Sequence, residues 1–226
     1  LIPHPQARAM LTATFPEFRH AAHAVQQILN SGHLPSALEI TDGFTLQAAR
    51  DYLGPDALPA GDAHLIVEID GRTQAVEGER QELASLLQEL GALTTEHHCD
   101  EEACEKVWQL RRDFSYSLRN TGLTKLNEDI VVPRSKLLDL VEFAREMQDR
   151  TGIAIACFGH AGDGNIHTNL MVRDYENPGV REKADHALDE LFQWIIKNGG
   201  VITGEHGICL LYTSDAADEE DSVDLG

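Results

Sequence analysis

The hydrophobic and polar positions of this chain follow two different periods. In residues 18–29 the apolar side chains recur every three or four positions, which places them on one face of a helix. In residues 9–15 the pattern instead alternates in the way that is typical of a half-buried strand. Repeated switching between these periods predicts a structure that mixes helices with strands.

The elements predicted on this basis fill most of the chain. The predicted strands are residues 9–15, 35–40, 64–69, 126–132, 153–160 and 166–172. The predicted helices are residues 16–30, 45–53, 79–90, 101–118, 135–148 and 181–197. Turn-forming residues such as Asn30-Ser31-Gly32 and Asp70-Gly71 separate neighbouring elements.

The character of the strands favours an α+β fold with a largely antiparallel sheet that is covered by helices on one side. Strands that alternate with helices also occur in parallel sheets, but those strands are buried on both faces and have continuously apolar sequences. The strands here are half polar, and residues 157–172 contain a tight hairpin, which joins antiparallel neighbours.

Composition and charge exclude several classes of protein. The chain has 226 residues, of which 42% are hydrophobic and 25% charged, as in ordinary globular domains. Its formal charge of −20 disfavours nucleic acid as a partner, and no apolar run approaches the roughly 20 residues of a membrane span. Four scattered cysteines and no secretory signal favour a cytoplasmic setting.

Both ends of the sequence suggest a fragment. The chain starts with Leu1 rather than methionine, and residues 209–226 are strongly acidic and lack a helix or strand period. Composition alone would make that segment a disordered tail. The letters CLLYTSDAADE and SVDLG also resemble the translation of a sequencing adapter, so we expect residues 209–226 to be a non-native tail on a domain of residues 1–208 that is incomplete at its C-terminus.

A first chemical motif lies in the predicted hairpin, CFGHAGDGNIHTNLMV, residues 157–172. If Ala161 pairs with Ile166, His160 falls opposite His167, and cross-strand partners have Cβ atoms about 5 Å apart on the same face. Two imidazoles at that separation suit a shared cation, and Asn169 lies further along the same face. The alternative is a pair of ordinary surface histidines, and spacing alone does not decide between them.

A second motif is the glycine-rich segment NGGVITGEHGI, residues 198–208. Its glycines allow the backbone to approach another surface closely, and Glu205 and His206 place a carboxylate beside a titratable ring. Glu205 could complete a metal site of two histidines and one carboxylate, which leaves coordination positions open to substrate. The alternative is a polar helix N-terminus.

FGHAGDGNIH and GGVITGEHGI, together with WQLRR and KLNEDIVVP upstream, resemble the C-terminal substrate domain of FAD-linked oxidases that act on D-2-hydroxy acids. That family includes D-lactate dehydrogenases, the flavin subunit of glycolate oxidase and D-2-hydroxyglutarate dehydrogenase. The resemblance covers residues 1–208. It implies a two-domain flavoprotein whose FAD-binding domain lies upstream and is absent from this chain, which should therefore be inactive alone.

The resemblance also implies roles for individual residues. His160, His167 and Glu205 match the family's ligands for a divalent metal, which would be zinc or manganese. His206 matches its general base. A cation at the hydroxyl oxygen favours removal of the proton, while the flavin accepts the hydride from C2.

Three further residues match substrate contacts of the family. Arg111 matches the arginine that grips the substrate carboxylate with two hydrogen bonds. Lys125 matches a second cationic contact, and Asn169 a polar contact near the metal. The family pattern has glycine where this chain has Cys209, at the start of the proposed tail.

The resemblance also implies binding partners for this chain. The expected partners are a small 2-hydroxy acid, the FAD domain in the same polypeptide and an electron-acceptor subunit. Contact with that subunit could attach a cytoplasmic protein to the surface of a membrane. The residues alone leave two other functions open. One is a metal-assisted hydrolase, and the other is a module that binds a metal or an organic acid without catalysis.

Overall fold

The computed structural model describes residues 5–203 of the chain. Within that range there are seven strands and six α-helices. The strands are β1 Ala7–Phe15, β2 Ala37–Asp42, β3 Ala63–Gly71, β4 Thr94–His98, β5 Thr124–Val131, β6 Ala154–His160 and β7 Asn165–Val172. The helices are α1 Phe18–Asn30, α2 Gly43–Leu53, α3 Thr73–Glu89, α4 Glu101–Arg119, α5 Leu137–Thr151 and α6 Pro178–Lys197.

The strands form one sheet in the order β4-β1-β3-β2-β6-β7-β5, and every neighbouring pair is antiparallel. This confirms the predicted α+β class. Between residues 5 and 203 no helix combines the length and the apolar character needed to cross a bilayer.

Helices cover both faces of the sheet, and not one face as predicted, because both faces carry apolar side chains. The two faces are covered unequally. One face carries alternate strand residues such as Leu11, Leu65 and Leu170, which pack into the main hydrophobic core with α1, α3, α5 and α6. Among residues 5–203, the helices that cover the opposite face are α2 and α4, which pack there through smaller apolar clusters around Met10 and Phe158. Each large side chain buried in these cores contributes about 1.5–3 kcal/mol. The less covered face carries the polar groups described below.

Two elements differ from the sequence prediction by more than about three residues at an end. β4 was not predicted, because its sequence TTEHH is short and polar, as is common for a strand at the edge of a sheet. α3 begins at Thr73 rather than at residue 79. Its first turns are mostly exposed and contain Gly78, so the helical period of apolar residues is weak there.

Candidate functional site

The face of the sheet beneath α2 and α4 gathers polar side chains at its centre. Side chains of a strand alternate between faces, so His167 and Asn169 of β7 share this face with Phe158 and His160 of β6. Glu39 of β2 lies directly opposite His160 and joins them. The central strands thus bring residues from three distant parts of the chain to one surface.

The hairpin register differs from the prediction by two residues. His160 pairs with Asn165, and Phe158 pairs with His167. The loop is therefore residues 161–164, and it closes through the Gly164 N–H, which donates to the carbonyl of His160 at 3.0 Å. Gly164 has φ +81°, a conformation that favours glycine, and a side chain there would overlap the backbone of Val132.

The predicted proximity of the two histidines nevertheless holds. A shift of two residues leaves every side chain on its original face. His160 and His167 become diagonal rather than direct neighbours, and their ring centroids are 6.2 Å apart.

Glu39 is the central group of the site. Its side chain is only 2% exposed, and its carboxylate contacts two of the predicted site residues. Arg111 Nε donates to Oε2 at 2.7 Å, and His160 Nδ1 lies 2.5 Å from Oε1. Burial by itself would raise the pKa of Glu39, but the hydrogen bond from His160 and the charge of Arg111 outweigh it and hold the pKa below its usual value.

Arg111 reaches this carboxylate from α4. Asp100 caps the N-terminus of this helix, and its side chain accepts a hydrogen bond from the Ala103 N–H. The guanidinium carbon of Arg111 lies 4.8 Å from the centroid of the Phe158 ring, so the group is stacked on an aromatic face as well as paired with Glu39. Its orientation is therefore fixed by two contacts.

His167 has a carboxylate neighbour of its own. Asp129 lies directly opposite on β5, with Oδ1 3.5 Å from His167 Nδ1. Metal-binding histidines commonly present one ring nitrogen to a carboxylate so that the other nitrogen is aimed at the metal. His160 shows this arrangement with Glu39, whereas His167 faces Asp129 at the longer distance of 3.5 Å.

A complete metal site is not present in the part of the chain that the structure describes. Within residues 5–203 no group of three or more histidine, cysteine, aspartate or glutamate side chains is placed to hold a metal. The proposed third ligand, Glu205, and the proposed base, His206, lie outside the described residues, as does the segment 209–226.

The two remaining predicted contacts lie on the same side of the sheet. Lys125 Nζ donates to Ser115 Oγ at 3.0 Å, and Ser115 is one helical turn beyond Arg111 on α4. Asn169 is 0% exposed, and its amide nitrogen donates to the carbonyl of Ala156 at 3.1 Å. Its Oδ1 is buried and has no hydrogen-bond partner among residues 5–203.

Sequence reasoning missed three residues of this site: Glu39, Asp129 and Phe158. Glu39 had a detectable signal, since it stands between Leu38 and Ile40 in a strand that is otherwise buried, where an acid needs partners. The other two gave none. Their importance follows from strand pairing, which brings them against His167.

Comparison with known proteins matches this chain to one family and to several relatives. The family described as "FAD linked oxidases, C-terminal domain" matches residues 4–221. The glycolate oxidase subunit GlcD of Bacillus subtilis is 31% identical over 208 residues, which are 92% of this chain and 44% of that protein. A D-lactate dehydrogenase of Anaerostipes hadrus is 24% identical over 216 residues, 92% of this chain and 45% of that protein. The chain thus spans less than half the length of these relatives.

Solved structures share the fold. The 4-ethylphenol oxidase of Gulosibacter chungangensis, solved as an isoeugenol complex, superposes with a TM-score of 0.64 at 13% identity. The match covers 90% of this chain and 47% of that one. At this identity the likeness concerns the fold alone.

Proposed function

The chain belongs to the family of FAD-linked oxidase C-terminal domains, and on this premise we propose that it is the substrate-binding part of a flavin-dependent dehydrogenase. The enzyme would oxidise a D-2-hydroxy acid of the lactate or glycolate type to the 2-oxo acid. The observation that carries the proposal is the contact of one buried carboxylate, Glu39, with both Arg111 and His160. This contact would hold the proposed substrate-binding arginine beside a proposed metal ligand.

Arg111 would bind the substrate carboxylate. Its Nε is already bonded to Glu39, so the two terminal nitrogens are the pair that can grip a carboxylate in its plane. Lys125 would add a second positive charge, and Asn169 a polar contact. These contacts would hold the substrate so that its C2 atom is oriented for reaction, which reduces the entropy lost on reaching the reactive geometry.

His160, His167 and Glu205 would hold a divalent ion, zinc or manganese. When bound, the ion supplies positive charge at the hydroxyl oxygen, and FAD supplies the acceptor for the hydride from C2. His206 would take the proton of the hydroxyl. In the enzyme joined to its FAD domain, we expect His206→Ala to lower turnover by about 10²- to 10⁴-fold. FAD and metal content should be retained, and near-normal turnover would mean that another group is the base.

The proposal extends to partners. The FAD-binding domain is expected in the same polypeptide, and an electron-acceptor subunit would reoxidise the flavin. A cytoplasmic location, with attachment to a membrane through that subunit, belongs to the same proposal. A match to a family defined by linkage to FAD lends no support to a metal-assisted hydrolase.

Binding of D-lactate to this 226-residue chain, measured by calorimetry with Mn²⁺ present, tests the proposal. Arg111→Lys keeps the charge but loses the planar two-pronged grip, so we expect affinity to fall about tenfold or more. The matched control is Arg112→Lys, one residue along α4, where the guanidinium is half exposed and pairs with Glu105. A folded wild-type chain that ignores D-lactate, or equal affinity in both variants, would contradict the proposal.

A further inference from the structure

We propose that Glu39 is a positioning residue that sets both the orientation of Arg111 and the tautomer of His160. The inference rests on the proposed function, because it assigns Glu39 to the carboxylate-binding and metal-binding sides of that site at once. Neither the family resemblance nor the sequence motifs assign a role to this residue. Its evidence is the pair of contacts from the two oxygens of one buried carboxylate.

The backbone holds that carboxylate in place. Glu39 lies in β2, where it is directly opposite Ile66 on one side and His160 on the other. Its neighbours Leu38 and Ile40 are buried on the opposite face of the sheet. The backbone at Glu39 is held by strands on both sides and by the packing of Leu38 and Ile40, so its side chain has little freedom to turn away from its partners.

The contact with Arg111 selects one edge of the guanidinium. The bond to Oε2 uses Nε, and stacking on Phe158 fixes the plane of the group. Rotation about the last side-chain bonds would break one contact or the other. Glu39 therefore determines which nitrogens of Arg111 face the substrate side.

The contact with His160 selects a tautomer. An ionised carboxylate is an acceptor only, so the ring nitrogen that faces Glu39 must carry the hydrogen. That nitrogen is Nδ1, and in a neutral ring Nε2 then has the lone pair that a metal requires. Without Glu39, the choice of tautomer would be open.

Glu39→Gln tests this with little change in shape. An amide has one acceptor and one donor end, and its oxygen should turn to the permanently charged Arg111, which leaves the NH₂ group facing His160 Nδ1. The ring must then accept at Nδ1 and carry its hydrogen on Nε2. We expect ¹⁵N NMR of the imidazole to show this exchange of tautomer, with His160→Asn for assignment. Affinity for Mn²⁺ should fall by about 10- to 100-fold.

Glu68→Gln is the matched control. Glu68 is a mostly buried glutamate under the same helix, where it accepts hydrogen bonds from Arg8 at 2.7 Å and from Trp108 at 2.9 Å. It has a comparable structural role but contacts neither Arg111 nor His160. We expect Glu68→Gln to affect thermal unfolding while leaving the His160 tautomer and Mn²⁺ affinity as in the wild type.

A second variant, which keeps the negative charge, guards against a folding failure. Glu39→Asp keeps the charge but is one methylene shorter, so it cannot reach both partners, and the affinities for Mn²⁺ and for D-lactate should both fall. An unchanged tautomer and Mn²⁺ affinity in folded Glu39→Gln would overturn the inference, as would an equal loss in Glu68→Gln. A wild-type chain that binds neither ligand would overturn the proposed function, while the NMR measurement would still decide the role of Glu39.

Discussion

His64 should make the stability of this protein depend on pH. The residue lies in β3 between Thr14 and Thr41 on the less covered face of the sheet, and it is 2% exposed. Its Nδ1 is buried and has no partner within residues 5–203. Burial, aided by the nearby charges of His98 and Arg50, lowers the pKa of His64 from 6.5 to about 4.

The sign and size of the effect follow from this difference. Between pH 6.5 and about 4 the unfolded chain binds a proton at His64 that the folded chain does not. Stability therefore falls as the pH falls through this range. Between a pH of about 7.5 and about 5.5, this one group should cost about 1.3 kcal/mol of unfolding free energy.

The assay is urea unfolding of the wild type and of His64→Leu at both pH values. The wild-type curve alone would mislead, because burial raises the pKa of Asp42 to about 6 and so gives a pH dependence of opposite sign over part of the range. The difference between the two proteins isolates His64. We expect the wild type to lose about 1.3 kcal/mol relative to His64→Leu on acidification.

A wild-type minus His64→Leu difference that stays constant with pH would show that His64 protonates in the folded protein as easily as in the unfolded chain. The burial argument would then be wrong.

Two further predictions concern stability at neutral pH, both measured by urea unfolding. Asp42→Ala should lower the unfolding free energy by about 2 kcal/mol, because this buried carboxylate accepts hydrogen bonds from N–H groups at the start of α2 and in β6. The control is Asp100→Ala, which removes an exposed helix cap and should cost about 1 kcal/mol or less. Equal losses would mean that burial does not strengthen the contribution of the cap. Gly164→Ala should lower the unfolding free energy by clearly more than Gly122→Ala, which should cost roughly 1–2 kcal/mol. Both glycines have positive φ, but only a side chain at Gly164 would also overlap Val132. Similar costs would contradict the close approach of Gly164 to Val132.

The fold class and the shared face of the two histidines could be predicted from sequence for a physical reason. Period-two alternation survives any even shift of register, so His160 and His167 stay on one face although the predicted pairing was wrong by two residues. The loop length could not be predicted in the same way. Several residues between the strands tolerate turn conformations, and the close approach of Gly164 to Val132 comes from a segment far away in sequence.

The partners of the histidines were beyond sequence reasoning. Glu39 and His160 are separated by 121 positions and meet because β2 pairs with β6. No local period carries information about that pairing. The polar edge strand β4 was missed for a different reason, because it has too few apolar residues to show any period.

The pairing of β2 with β6 also has a consequence for folding. Strands β4, β1, β3 and β2 come from residues 7–98, and β6, β7 and β5 come from residues 124–172, so each half of the sheet is contiguous in sequence. Within the sheet, three residue pairs of β2 and β6 join the halves, and Glu39 with His160 is one of them. The site therefore exists only once the two halves have joined. A ligand that binds across the junction would stabilise the joined sheet by mass action.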